Sequence, residues 1–453
     1  MRLFTRIAFL LSCFVVLTSK AAAQKIINRD IEIEQMVRDI SPDSLKSYIN
    51  AMVSFGTRST VSSTTDKKRG IGAARTWVVQ KFQEFAKGSN GRMTAFVDTT
   101  TLAPDGRRID QPINLGNAMA ILKGTDTADK RIYLISGHLD SRVTDVMNRT
   151  ADAPGANDDG SGVAAVLECA RIMSRKSFPA TIIFVAVSGE EQGLLGAGFL
   201  AEKAKREGWN IDAVLNNDIM GSNNSNETNI IDNTRLRVFS EAFSVSDTGR
   251  IAQNIRSLGL ENDGRPRQLA RYVKEVGERY VDNLEVVLIY RNDRFLRGGD
   301  HTPFVQRGFA AVRLTEMNEN YNHQHQDLRT EKGIVYGDLP EFMDFEYLRK
   351  NTGINLAVLA NLAKAPSIPQ AVTVDVKNLT NSTTLNWKAP KWGKVRGYYV
   401  LVRETVSPYW QKKFFTFDTT FMLPYSKDNY FFAVQAVGIT ENESLPVVPS
   451  VGR

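Results

Sequence analysis

The stretch "ATIIFVAVSGEEQGLLGAGFLAEKAKREG", residues 180–208, carries three patterns in succession. A continuous apolar run gives way to a glycine-flanked turn and then to an amphipathic segment, the order expected of a buried strand feeding a helix. The same alternation extends in both directions. Upstream, "SPDSLKSYINAMVSF" offers Ser41 as N-cap, Pro42 at the first helical position, and Leu45, Tyr48, Ile49 and Met52 at helical spacing. A second amphipathic helix is expected through "GIGAARTWVVQKFQEFA", then strands in "TAFVDTTT", "NAMAILKG" and "RIYLIS" and a helix in "SGVAAVLECARIMSRK"; downstream lies the strand "DAVLNN". Continuous apolar strands alternating with helices predict an α/β fold, a mostly parallel sheet with helices on both faces. Ligands in such folds bind beyond the carboxyl ends of the strands.

The two ends of the chain read differently. "MRLFTRIAFLLSCFVVLTSKAAAQ" has Arg2 and Arg6, an apolar core from Ile7 to Leu17 and an Ala21, Ala22, Ala23 exit. This predicts a signal peptide over 1–23 and export to the periplasm or the extracellular space. The core is shorter than the roughly 20 residues a spanning helix needs, so no membrane span is expected. Cys13 would leave with the signal, and Cys169 alone cannot form an internal disulfide. The formal charge of +7 falls by three, to +4, once Arg2, Arg6 and Lys20 are removed. The remaining basic residues are scattered, which argues against a nucleic-acid partner. From "APSIPQ" onward helices give way to short strands, "AVTVDV", "TTLNWK", "GYYVLVRET", "KFFTFD" and "NYFFAVQAVG", with Trp387 and Tyr399 as inter-sheet core residues. Pro366 and Pro369 mark a linker, dividing the α/β domain, 24–365, from an all-β sandwich, 366–453, that resembles a fibronectin type III module. Truncation near Pro366 is expected to leave the α/β domain functional, and a glycan or surface partner is the candidate role for the sandwich.

Polar residues collect where the strands end. His138 and Asp140 in "GHLDS" follow "RIYLIS"; Glu190 and Glu191 follow "IIFVAVS"; Asp218 in "NNDIMG" follows "DAVLN"; Asp158 and Asp159 stand in "PGANDDGSG" just before a helix. The chain has four histidines, His138, His301, His323 and His325, all expected in loops beside an acid or another histidine. Histidines and carboxylates gathered at one sheet edge, without thiolate, form a donor set suited to zinc. Each motif alone has a bland reading: "GHLD" as a capped loop, "NNDIMG" as a turn, "GEE" as a helix start. Their joint order favours metal.

With these motifs in place, the chain from about residue 40 to 363 resembles metallopeptidase family 28, in particular the bacterial leucyl aminopeptidase type of di-zinc exopeptidase. The resemblance implies two zinc ions. His138, Asp158 and Asp218 would hold one, and Asp158 would bridge to a second held by Glu191 and His323. His323 is preferred over His325 because the family's ligand histidine stands four residues before an acid, here Asp327. Asp140 resembles the acid that orients the first histidine, and Asp300–His301 in "GGDHTPF" matches a further family element. Glu190, not itself a ligand, is then the general base, and the substrates are peptides with a free N-terminus. A carboxypeptidase or dipeptidase of the same clan, a glutaminyl cyclase and a non-catalytic adhesion protein are the alternatives.

Overall fold

The computed structural model describes residues 29–243, 247–377 and 379–451. The expected signal peptide, with Cys13, lies outside them. Among the described residues no helix is long and apolar enough to cross a membrane.

Three helices open the described residues: α1 (Ile31–Arg38), α2 (Pro42–Val53) and α3 (Ile71–Ala86). Ser41 caps α2 by accepting from Ser44 N, and Leu45, Tyr48, Ile49 and Met52 form its buried stripe. The central unit follows as β1 (Met93–Leu102), β2 (Ile113–Leu122), β3 (Arg131–His138), α4 (Gly160–Met173), β4 (Thr181–Val187), α5 (Leu195–Arg206) and β5 (Asn210–Asn217). It continues through β6 (Arg235–Phe239), α6 (Gly249–Ser257), α7 (Arg265–Tyr280), β7 (Glu285–Ile289), α8 (His301–Gln306), β8 (Ala311–Glu316), the small hairpin of β9 (Arg329–Glu331) and β10 (Ile334–Tyr336), and α9 (Phe345–Lys364). Eight strands form one sheet in the order β1-β2-β4-β3-β5-β8-β6-β7. Its centre, β4-β3-β5-β8, is parallel throughout, while β1, β2 and the β6–β8 pairing are antiparallel. Two large apolar clusters hold the layers. One contains α2, α4, α7 and α9 residues, and the other packs α5 and α8 residues against Leu134, Ile183 and Val214.

Close approach of α4 to β3 decides where the site forms. A Cβ on Gly137 would stand 2.5 Å from the carbonyl carbon of Gly162, and one on Gly162 would stand 2.4 Å from Asp159 Oδ2. Glycine at both positions lets the helix start directly over the end of the strand. Cys169 is buried within α4 and forms no disulfide among the described residues.

Strands β11 (Gln370–Val374), β12 (Thr383–Lys388), β13 (Val395–Glu404), β14 (Lys412–Thr416), β15 (Thr420–Leu423), β16 (Tyr430–Gly438) and β17 (Ser450–Val451) make two further sheets, β15-β12-β11-β17 and β14-β13-β16. Val372, Leu385 and Trp387 of one sheet meet Tyr398, Val400, Val402 and Val434 of the other in a shared core. Trp387 is therefore placed as expected, edge-on to Tyr398 with ring centroids 5.3 Å apart. Tyr399 is not. Alternation along β13 turns it to the opposite face, where it clusters with Leu401, Ala433 and Val437. That second face is buried because α7 and the strands are tied together. Arg279 of α7 binds the fully buried Glu443 through both terminal guanidinium nitrogens, Lys413 reaches Glu275, and Arg403 joins Arg271 on the buried Asp263. Tyr272 donates to the Glu443 carbonyl at 2.7 Å, and Asn442 bonds Asn361 of α9. A boundary at Pro366 separates two patterns of secondary structure, but the second unit is locked to the first by buried charge.

Candidate metal centre

Loops at the carboxyl ends of β3, β4 and β5 bring the acids together, with the "ANDD" loop before α4 folded over them. His138 is the last residue of β3 and His301 the first of α8, so two of the four histidines stand at element ends and not in loops. His138, Asp158 and Asp218 offer donor atoms that lie within 4.8 Å of one another, and so do Asp158, Glu191 and His325. Asp158 belongs to both groups. Its Oδ1 is 3.1 Å from His138 Nε2, and its Oδ2 is 2.9 Å from His325 Nε2. One carboxylate thus turns one oxygen to each group, the arrangement of a bridging ligand. Zinc–nitrogen and zinc–oxygen bonds of about 2.0–2.2 Å in a tetrahedron put neighbouring donors roughly 3.3–3.6 Å apart. The separations of 2.9–3.7 Å here bracket that edge.

The residue on the second group corrects the sequence reading. His323 stacks flat on Phe342, with ring centroids 3.7 Å apart, and joins neither group. His325 takes its place because it adopts a left-handed backbone, φ 56°, which swings its ring back over Asp158 and Glu191. A count of residues to the next acid does not see that turn.

Asp140 meets His138 mainly through its backbone. The Nδ1 of His138 faces the Asp140 carbonyl oxygen at 3.0 Å, and the carboxylate is farther, at 3.7 Å. The carbonyl fixes a proton on Nδ1 and leaves the Nε2 lone pair for a metal. The Asp140 carboxylate instead accepts from the backbone N–H groups of Glu190 and Glu191, at 3.3 and 3.1 Å. It therefore sets the turn that carries the glutamate pair. Glu190 is partly exposed in the same cleft as His138, Asp158, Glu191, Asp218 and His325, but belongs to neither donor group.

Three residues that build the site escape a reading of short motifs, and a fourth, Asp159, is read there without its task. Asp159 caps α4 through Gly162 N at 2.9 Å and also accepts from His138 N and Ile219 N, stitching three ligand-bearing segments together. Its signal is present in "DDGSG", where an acid stands three residues before a helical N–H. Arg58, fully buried, donates to the carbonyls of Leu139, Pro154 and Gly155 at 2.6–2.8 Å, and burial pulls its guanidinium down to about 10. Asp338 accepts from the N–H groups of Asn157 and Asp158, and burial pushes its carboxyl up to about 7. Arg313 lies 3.0 Å from Asp218 Oδ2 and 2.9 Å from Asp293. Asp300 is buried, with both oxygens unbonded, and the ring of His301 meets the Asn292 carbonyl at 2.6 Å; neither enters a donor group.

The charge of the pocket calls for a cation. Burial lowers His138, yet Asp159, Asp140, Asp158 and Asp218 together raise it well above the usual imidazole value. Burial, with Glu191, Asp218 and Asp300 nearby, raises Glu190 well above the carboxylate range. Glu191 Oε1 and Asp158 Oδ2 each lie 2.9 Å from His325 Nε2, so two carboxylate oxygens and an imidazole nitrogen converge as they would on a shared metal ion. Nitrogen and oxygen donors with no thiolate suit zinc.

Comparison with known proteins agrees with this class. The model of peptidase family M28 matches residues 117–336. A probable zinc metalloprotease of Leptosphaeria maculans is 44% identical over 422 residues, covering 93% of this chain and 97% of that one. Among solved structures, the LapA aminopeptidase of Legionella pneumophila superposes with a TM-score of 0.52 at 19% identity, over 76% of this chain and 75% of that one. A glutaminyl cyclase of Macrostomum lignano also gives 0.52, at 14% identity over 74% and 94%. At such identities these structures share the fold. The site and fold together are those of a zinc metallopeptidase. The chain belongs to peptidase family M28.

Proposed function

We propose that this chain is an exported di-zinc aminopeptidase that removes N-terminal residues from peptides. The observation that carries the reading is the double use of Asp158, one oxygen toward His138 and the other toward His325, beside a carboxylate, Glu190, that ligates neither group. His138, Asp158 and Asp218 would hold one ion, and Asp158, Glu191 and His325 the other. Bound zinc supplies Lewis acidity, lowering the pKa of water and polarising a peptide carbonyl. Glu190 takes the proton of the attacking water and passes it to the departing amine, the work of a positioned general base and acid. Asp140 keeps Glu190 and Glu191 in register for these separate tasks through the two N–H contacts to its carboxylate. Export rests on the sequence pattern of residues 1–23.

Turnover of aminoacyl chromogenic amides, the same compounds N-acetylated, and N-terminal glutaminyl peptides tests the proposal. Free-amine substrates are expected to be cleaved, N-blocked ones to be inert, and activity to disappear with chelator and return with zinc. Cleavage of blocked substrates alone, or cyclisation of glutaminyl peptides without hydrolysis, would overturn it.

A further inference from the structure

The wall of the cleft formed by residues 291–299 carries more positive charge than its neighbours neutralise. Arg294 and Arg297 line the cleft beside Asp218 and His325, and Arg108 and Arg142 line it beside Glu191. Glu319 is the chief anion behind the first wall, and three guanidiniums share it: Arg237 at 2.8 Å, Arg294 at 3.0 Å and Arg297 at 3.3 Å. Asp293 is shared between the fully buried Arg313, at 2.9 Å, and Arg294, at 3.2 Å, while Asp218 turns Oδ1 toward the metal group and Oδ2 toward Arg313. Four guanidiniums, Arg237, Arg294, Arg297 and Arg313, therefore stand against two carboxylates, Glu319 and Asp293, once Asp218 serves a metal. Arg313 is buried behind Asp218 and balances the ligands. Arg297 is different: its side chain is 32% exposed, and among the described residues its side-chain bonds, to Glu319 and Gln324, run from Nη1 alone. The loop that presents it is held by the buried His301, whose ring meets the Asn292 carbonyl at 2.6 Å, so the guanidinium is displayed on an anchored backbone.

Resting on the peptidase reading, we infer that Arg297, with Arg294 behind it, selects substrates bearing a carboxylate close to the scissile bond. A planar guanidinium with a free edge is the side chain best suited to that group. The carboxylate has two sources, an acidic N-terminal side chain or the C-terminus of a dipeptide, and two substrate pairs separate them. Glutamyl against glutaminyl chromogenic amide reads the first; Leu-Leu against its C-terminal amide reads the second. The wild-type enzyme is expected to favour the charged member of at least one pair by roughly 10- to 100-fold in kcat/KM, the scale of a hydrogen bond to a charged group. Arg297→Gln should collapse that ratio through KM, and Arg297→Lys should restore part of it. Calorimetric binding of glutamate against glutamine to the zinc-loaded protein gives a readout independent of turnover for the side-chain source, and should show the same order if that source is used. Equal turnover of both members of both pairs by the wild type would overturn the inference while leaving the peptidase reading intact. So would an Arg297→Gln variant that slows every substrate equally. No turnover of any peptide would overturn the peptidase reading, and the inference with it.

Discussion

Glu190→Gln is expected to retain the zinc content of the wild type while turnover falls by about 100- to 10,000-fold, the range general acid–base catalysis supplies. The change keeps the shape of the side chain and removes the basic oxygen. Glu190 lies in the cleft without belonging to either donor group, so the metal loses no ligand. Its neighbour should behave in the opposite sense. Glu191→Gln replaces an anionic donor of the second group with a weak neutral one, so metal affinity drops first and excess zinc recovers part of the activity. Measuring zinc content and turnover on both variants checks the pair. Metal lost from Glu190→Gln and kept by Glu191→Gln would reverse the two assignments.

The second large effect concerns residues 366–453. A chain ending near Pro366 is expected to be insoluble or unfolded, not an active core. Removing the strands strips Glu443 from Arg279, Arg403 from Asp263, and the Glu443 carbonyl from Tyr272. Burial alone would raise the Glu443 carboxyl, yet Arg279 and Lys413 bring it down to about 2, so the group is charged and its loss leaves Arg279 with the longer pair to Glu275, at 3.5 Å. Breaking one buried ion pair costs about 3–5 kcal/mol. Total stabilities are commonly only about 5–15 kcal/mol. Glu443→Ala in the full-length protein should therefore lower its urea midpoint markedly while the metal ligands stay unaltered. A soluble truncation product with full zinc content and unchanged kcat/KM would show that the two units fold independently, as the linker prolines alone suggest.

These results mark where sequence is legible. Strands β3, β4 and β5 and helices α2 to α5 could be read because their pattern is local, and the acids after each strand could be assigned to one edge because the fold class dictates where strand ends go. The resemblance sets Asp158 between His138 and Glu191, and Asp158 has donor atoms in both groups. His325 could not be told from His323 by spacing, since the choice lies in one left-handed residue and in the stacking of His323 on Phe342, a partner 19 positions away. Arg58 and Asp338 were hidden for a related reason. Their hydrogen bonds to the ligand loop span 81–97 and 180–181 positions, and neither belongs to a motif. The interface with α7 was obscured by polarity: "ENES", 441–444, reads as a solvated turn, yet Asn442, Glu443 and Ser444 are buried.

The central claim is that Asp158 joins two metal sites, one completed by His138 and Asp218 and the other by Glu191 and His325. Elemental analysis of zinc per chain, on the wild type and on His325→Ala after zinc reconstitution and removal of free metal, tests it most directly. The account predicts two ions in the wild type and about one in the variant, with His323→Ala still holding two. One ion in the wild type, or two in His325→Ala with one in His323→Ala, would contradict it.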